Sequence, residues 1–396
     1  MLFLRIFPYL YPNSSTNYIM RKVIFFVGFF LAACYATAEA QPTAIDTKIR
    51  EGMDKHLAIG TAVVVIKDGQ PIYAQSFGYK NLEEKTPLGL TALFRIASIS
   101  KSFTATALMQ LVEQGQISLQ DDIGELVGFR VRNPHFPDTK ITLEMVLSHT
   151  SSISDKNGYF TLSAIRPDAE NKDWAKSYND YSPGTRYQYC NLNYNMAGAV
   201  LERLTGENFD DYIRENILAP LHLYGGYRVD RLDSSQFATL YAQVDGAFAP
   251  QPAAYHPRTT ELENYVLGES TPVFSPTGGM KISAIDLARY LMMHMHGGQA
   301  HGVRILQESS AKTMQTPVLE SAKYGLGLLQ HDNLLPGVTL VGHTGSAYGL
   351  YSNLFFDPQE KFGFVVITNG CHAVHEDGTL TFSKEMLNVL HDYFIR

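Results

Sequence analysis

The sequence predicts an α+β fold: one sheet assembled from both ends of the chain, with a mostly helical stretch between. Three observations carry this. Strand patterns occupy residues 61–78, they return only after about residue 325, and the stretch from about 118 to 310 reads mostly as helices joined by long loops. Helical patterns also stand at both ends of the arrangement.

The elements follow in chain order. Residues 43–57 carry Ile45, Ile49, Met53 and Leu57 at a spacing of four, the period of a helix with one apolar face. Residues 61–78 read as two strands, and Asp68-Gly69 supplies the hairpin turn because these residue types tolerate positive φ. Residues 98–114 read as a helix with Phe103, Leu108, Leu111 and Val112 on its apolar face, and Gly115 is placed to end it. In the middle of the chain the best helices are 193–204 and 209–218, separated by Thr205-Gly206. Residues 150–185 are polar and aromatic without a period, and a loop of that length in a compact domain is more often functional than decorative. Strands are expected at 325–330, 338–342, 350–356 and 362–368, and a closing helix at 380–394. No internal repeat, low-complexity tract or linker marks off independent domains.

Composition excludes several classes. The chain has 396 residues, with 32 Lys+Arg against 39 Asp+Glu and a formal net charge of −7. An acidic balance without a basic block argues against nucleic-acid binding, which draws on Lys and Arg for phosphate affinity. With 45% hydrophobic and 18% charged residues the chain is neither disordered nor fibrous. Three cysteines exclude a disulfide-dense scaffold. CxxC and HExxH zinc signatures are missing. His294 and His296 would not share a helical face, so they read as structural or surface groups rather than as metal ligands.

Residues 1–40 read as an export segment. Arg21 and Lys22 precede an apolar run over 23–33, shorter than the ~20 residues that span a bilayer. Ala38-Glu39-Ala40 then forms a cleavage pattern before Gln41. Met20 is a candidate start, and 41–396 is the expected mature domain, periplasmic or secreted. Leu31-Ala-Ala-Cys34 also resembles a lipobox. Cleavage there would leave Cys34 lipidated and the protein tethered to a membrane; the plainer reading is that Cys34 ends the apolar run. Cys190 and Cys371 then remain, and are expected to be unpaired thiols.

Three motifs could carry chemistry. In Phe94-Arg-Ile-Ala-Ser98-Ile-Ser-Lys101, Ser98 would stand at a helix start and Lys101 one turn later on the same face. A desolvated lysine can be neutral and take the proton of a serine hydroxyl. A second S-x-x-K, Ser309 to Lys312, reads as a solvated helix face. Tyr189-Cys190-Asn191 follows about ninety residues on: a tyrosine hydroxyl can shuttle a proton and an asparagine amide can orient a substrate. The same pattern occurs at Tyr11, Tyr79 and Tyr351, so alone it is weak. His343-Thr344-Gly345 closes an apolar strand whose backbone N–H groups could face a substrate oxygen.

In this order the motifs resemble the serine β-lactamase and penicillin-binding-protein superfamily, most closely its class C branch. That branch includes class C β-lactamases, D,D-carboxypeptidases with His-Thr-Gly, D-aminopeptidases and lactamase-like esterases. The likeness covers about residues 45–395. Leu147-Ser-His-Thr150, Ser275-Pro-Thr-Gly-Gly279 followed by Asp286-Leu-Ala-Arg289, and Tyr324-Gly-Leu-Gly327 look like further landmarks. The resemblance implies a β-lactamase/transpeptidase-like fold: an antiparallel sheet of about five or more strands, flanked by the first and last helices, with a mostly helical subdomain inserted. It implies that Ser98 is the acylated nucleophile, Lys101 its base and proton relay, and Tyr189 the partner base near the leaving group. Asn191 would hold the substrate's amide side chain. His343 and Thr344 would face the substrate from the edge strand, and the oxyanion hole would use the N–H groups of Ser98 and of Ser346, just past Gly345.

There are departures. His343 replaces the lysine of most class C β-lactamases, and a histidine is charged only in part at neutral pH. This favours a peptidase or esterase over a dedicated β-lactamase. Cys190 stands where relatives carry a small residue, and reads either as core or as a redox-sensitive thiol. Ser152 stands where relatives often have glycine. His149 is expected to serve a local hydrogen-bonding role, and one or two of Tyr159, Phe160, Trp174, Tyr178 and Tyr181 to line the cleft. A G-x-S-x-G elbow is missing, against an α/β-hydrolase. The expected function is an exported serine hydrolase acting through an acyl-enzyme on a D-amino-acid peptide, a β-lactam or a small ester. The expected partner is such a small-molecule or peptide substrate, cell-wall peptide among them. The alternatives are a dedicated β-lactamase and a non-catalytic cell-wall or peptide-binding protein. The chemistry calls for no cofactor and no metal.

Overall fold

A computed structural model describes residues 43–167 and 171–396. The export segment, Cys34 and Tyr11 lie outside the described residues. The chain divides into two units, residues 1–46 and 47–396. Of the first, only 43–46 are described. They open the helix α1 (Ala44–Lys55), where Thr43 Oγ1 accepts the Asp46 N–H at 3.3 Å.

The second unit is built on a seven-stranded antiparallel sheet. Its strands are β1 (Gly60–Lys67), β2 (Gln70–Asn81) and the short β3 (Thr86–Pro87) near the start of the chain. After the helical middle, with α2 (Ser100–Glu113), α3 (Asn191–Thr205) and α4 (Ala284–Met295), come β4 (Leu329–Leu335), β5 (Val338–Ala347), β6 (Leu350–Asp357) and β7 (Phe362–Thr368). Helix α5 (Thr381–Phe394) closes the chain. The strand order is β4-β5-β6-β7-β1-β2-β3, so the last and first strands of the two groups meet as β7 and β1 at the centre. Asp68 and Gly69 both take positive φ, as the β1–β2 hairpin requires.

The central strands are buried on both faces, which explains their continuous β-branched runs. Alternation sorts the faces. Ala62, Val64 and Ile66 of β1 share a face with Val365 and Ile367 of β7 and belong to the large core under the helical region. That face receives α4, whose Leu291 packs at Gly363. The other face carries Phe362 and Phe364, and Phe362 meets His391 of α5 at a ring distance of 5.5 Å. Asn353 of β6 reaches Ser383 of α5 at 2.8 Å on that side. Within this unit, Lys55 and His56 both contact Glu385 of α5, at 2.7 and 2.9 Å.

Several boundaries move from their expected places. The strand expected at 325–330 begins at Leu329, because Gly325 to Leu328 form a bend, with Gly327 at positive φ. The strand expected to end at Gly342 runs through the third motif to Ala347. The helix expected over 209–218 is α-helical at Phe209–Ile213 and continues as a π-helical turn, Arg214–Leu218. The loop at 150–185 folds as short 3₁₀ turns at Asp155–Asn157, Leu162–Ala164 and Trp174–Ser177. The second S-x-x-K lies on the helix Glu308–Gln315 with Ser309 and Lys312 exposed, as expected. Cys190 and Cys371 are free. Among the described residues no helix is long and apolar enough to cross a membrane.

Candidate active site

Ser98 lies in a single 3₁₀ turn, Ala97–Ile99, that feeds directly into α2. Ala97 holds a left-handed φ of +50°, an unfavourable conformation for a residue with a Cβ that persists only where the surroundings enforce it. The turn is pinned from three sides. Ser100 Oγ donates to the Ala97 carbonyl at 2.6 Å and accepts the Met280 N–H at 3.0 Å, and Ser352 Oγ donates to the Ile96 carbonyl at 2.9 Å. Gly345 of β5 approaches the Ile96 carbonyl so closely that a Cβ would overlap it, so the third motif needs glycine there.

One turn into α2, Lys101 is fully buried. Its amine donates to Ser98 Oγ at 3.2 Å, Asn191 Oδ1 at 3.0 Å and the Thr277 carbonyl at 2.9 Å, and lies 4.6 Å from the centre of the Tyr189 ring. Burial pushes its pKa down to about 7, against the opposing pull of Asp155 and Cys190. Tyr189 is hydrogen-bonded to Ser98, and burial pushes its hydroxyl far above the usual tyrosine range. Within this cluster the lysine, not the tyrosine, is the group that sheds its proton first.

Asn191 is the first residue of α3, with Cys190 as the cap. Both ends of its amide are engaged: Oδ1 accepts from Lys101 and from Thr277 Oγ1 at 2.9 Å, and Nδ2 donates to Asp155 Oδ2 at 2.9 Å. Asp155 also accepts the backbone N–H groups of Asn191 and Leu192 at 2.9 and 3.0 Å, serving as the missing cap of α3 and meeting its positive end. The Cys190 thiol donates to Asp155 Oδ1 at 3.2 Å, and burial holds its pKa well above the ordinary value, so it behaves as a small core residue and not as a reactive thiolate. His149 is buried, and its Nδ1 accepts the Cys190 N–H at 3.1 Å, the local role expected of it. Its ring lies 4.3 Å from that of Tyr189.

The third motif is placed differently from expectation. β5 is the second strand of the sheet, not the edge, but its pairing with β4 stops at Gly342, so 343–347 run past their neighbour beside the Ser98 turn. His343 is buried and does not face the cleft. Its Nε2 meets Tyr324 Oη at 3.0 Å and its Nδ1 meets the Thr344 carbonyl at 2.5 Å. Burial, then repulsion from Lys101, pushes its pKa down to about 3, so it is neutral. Thr344 is exposed and lines a separate hollow with Tyr351 and Asn353. The strand's pleat explains the difference: 343 and 345 point inward while 344 and 346 point out.

The cleft itself, of about 410 Å³, is lined by Ser98, Tyr189, Asn191, Thr277 and Ser346, with Arg95, Tyr159 and Phe160 at its rim. Of the loop aromatics, Tyr159 and Phe160 are thus the ones that reach it. Sequence reasoning missed Asp155, a lone acid in a loop without a pattern. Thr277, Tyr324 and Arg95 stood inside quoted motifs, but nothing in their spacing gave them a part. Among the described residues no cluster of His, Cys, Asp or Glu could hold a metal ion, and His294 is instead buried against Tyr290 Oη at 2.9 Å.

Comparison with known proteins fits this architecture. A family model described as Beta-lactamase matches residues 45–382. "Protein flp" of Staphylococcus aureus (strain MRSA252) is 23% identical over 82% of this chain, and the match spans 62% of that protein's length. "Penicillin-binding protein 4" of Amycolatopsis lactamdurans is 28% identical over 80% of this chain and 82% of its own. The octameric penicillin-binding protein homologue from Pyrococcus abyssi superimposes with a TM-score of 0.69 at 27% identity, covering 87% of this chain and 78% of that one. A D-amino acid amidase from Ochrobactrum anthropi SV3 shares the fold with a TM-score of 0.67 at 21% identity, over 88% of this chain and 98% of that one. A match of this extent, over a chain whose Ser98, Lys101 and Tyr189 converge on one cleft, means that the chain belongs to the beta-lactamase family.

Proposed function

We propose that this chain is a serine hydrolase that cleaves amide or ester bonds through an acyl-enzyme on Ser98. The observation that carries the reading is the buried Lys101 amine, at 3.2 Å from Ser98 Oγ and with a pKa pushed down to about 7. Neutral Lys101 takes the Ser98 proton as Oγ bonds to the substrate carbonyl carbon. The N–H groups of Ser98 and Ser346 stabilise the oxyanion. On collapse the C–N or C–O bond breaks, and the proton passes from Lys101 through the Tyr189 hydroxyl to the leaving amine or alcohol. Water then attacks the ester by the same route in reverse, which returns the proton to Ser98. Asn191 and Asp155 act by fixing the Lys101 amine rather than by touching the reacting atoms.

The substrate class is read from three supports. The names of the relatives point to penicillin-like and D-amino-acid substrates. The neutral His343 offers no charge to a β-lactam carboxylate, which favours a peptidase or esterase over a dedicated β-lactamase. The export pattern before residue 41 supports action outside the cytoplasm, on cell-wall peptides among other substrates. Intact mass after brief exposure to benzylpenicillin, with Ser98→Ala alongside, tests the reading. A persistent adduct that the variant lacks is the expected result. Hydrolysis without an adduct, lost in the variant, would make the protein a β-lactamase. A drug bound but never turned over, with no covalent bond and no effect of the variant, would support a binding protein instead.

A further inference from the structure

A second cavity, of about 580 Å³, adjoins the cleft and shares Arg95, Phe160 and Ser275 with it. It contains a charge problem. Arg95 and Lys281 are directly opposed partners of a short antiparallel pair, where like charges are unfavourable. Lys281 is only 4% exposed. Among the described residues the hydrogen-bond acceptors of both are backbone carbonyls: Tyr227 for Lys281 at 2.6 Å, Gly278 and Ala254 for Arg95 at 3.1 and 3.3 Å.

Arg258 and Arg228 add charge to the same wall. The acids nearby are already engaged: Glu261 with Arg258 at 3.1 Å, Glu269 with Arg166 at 3.8 Å, and Asp230 with Arg228. Buried cations in proteins are ordinarily paired, because desolvation otherwise outweighs what holds them. Arg95, whose guanidinium lies 4.9 Å from the centre of the Tyr348 ring, and Lys281 instead line the cavity beside Ser98, and among the described residues no carboxylate is within ion-pair distance of either.

We propose that this cavity is a carboxylate-binding subsite, in which Arg95, Lys281 and Arg258 hold an anionic arm of the substrate whose scissile bond lies at Ser98. The assignment rests, for turnover, on the reading of Ser98 as nucleophile; for binding it does not. It also accounts for the neutral His343: the positive charge that motif lacks is supplied by Arg95, Lys281 and Arg258. Burial, and then repulsion from Arg95, holds the Lys281 amine well below its ordinary value, while Asp210 and Asp230 act the other way. A carboxylate bound beside it would favour the charged form of Lys281.

Two measurements test this. Glutarate and its uncharged diamide are titrated calorimetrically into the wild type, Lys281→Met and Arg258→Gln, with melting curves confirming that each variant is folded. Glutarate should bind, the diamide should not, and either variant should weaken binding by about tenfold or more, as loss of a charge-assisted contact does. In parallel, kcat/KM is compared for mono-p-nitrophenyl glutarate and the matching carboxamide ester. The wild type should favour the anionic ester by about tenfold or more, and both variants should shrink that ratio. No glutarate binding together with a ratio near one overturns the subsite. If both esters are hydrolysed and Ser98→Ala is inert, that same result leaves the serine-hydrolase reading standing. Glutarate binding that both variants abolish, in a protein that hydrolyses neither ester, would retain the subsite and overturn the hydrolase.

Discussion

Lys101 and Lys281 are both buried, and burial lowers the pKa of both, yet their surroundings differ in kind. Lys101 is held by a side-chain hydroxyl, a side-chain amide and a carbonyl, with the Asp155 carboxylate close by. Lys281 has one carbonyl as its hydrogen-bond partner and feels Arg95 and Arg258 as well as Asp210 and Asp230, with burial and Arg95 prevailing. The first environment is complete without a ligand and poises a base at neutral pH. The second is incomplete and is made whole by an anion. Burial alone therefore does not tell what a lysine is for; the identity of its neighbours does.

The comparison can be broken by substitution. Lys101→Met should lower kcat on any substrate by about 10²–10⁴-fold, the usual worth of a positioned base. Lys281→Met should act mainly through the ratio of anionic to neutral substrate. Equal losses on both substrate types for both variants would erase the distinction. Away from either lysine, Phe364→Ala should cost about 3–5 kcal/mol of stability in denaturant unfolding, since Phe364 lies fully buried in the sheet. Any residual activity of the folded fraction should keep the wild-type pH profile.

A third buried base sharpens the point. His294 has its pKa pushed down to about 3 by burial, with no charged neighbour contributing. Its unfolded value is near 6.5, so the unfolded chain binds the extra proton first. Stability that is present above pH ~6.5 is thus lost as pH falls toward about 3, by up to a few kcal/mol for this one group. His294→Gln should flatten that slope in acid unfolding curves; an unchanged slope would place the acid sensitivity elsewhere. The smallest effect expected is that of Asp155→Asn. Asp155 favours the charged form of Lys101, so its neutralisation should move the rising limb of the kcat/KM profile to lower pH. A shift to higher pH would mean that Asp155 does not act on Lys101.

Much of the fold was legible because it is written in local patterns. The β-branched runs of β1 and β7 announce strands, and the Asp68-Gly69 turn announces a hairpin, without help from distant residues; that β1 pairs with β7 is a contact across the chain. The Ser98 turn was legible for the same reason: Ser98 and Lys101 are three residues apart on one helical face. What stayed hidden depends on side-chain direction and on contacts across the chain. Whether His343 or Thr344 points inward follows from the pleat of β5, which the motif alone does not show. Asp155 caps a helix whose first residue lies thirty-six positions away, and no spacing rule announces that. Arg95 and Lys281 become neighbours only when two short strands pair across 186 positions of sequence.

The most direct test of the account is the rate at which Ser98 is acylated as a function of pH. Single-turnover intact mass with p-nitrophenyl acetate gives that rate without interference from deacylation. The predicted result is one acetyl group, missing from Ser98→Ala, whose rate of addition rises through pH about 7 and then levels off as Lys101 becomes neutral. A rate that is flat across that range, or an adduct that survives in Ser98→Ala, would contradict the assignment of Lys101 as the base and Ser98 as the nucleophile.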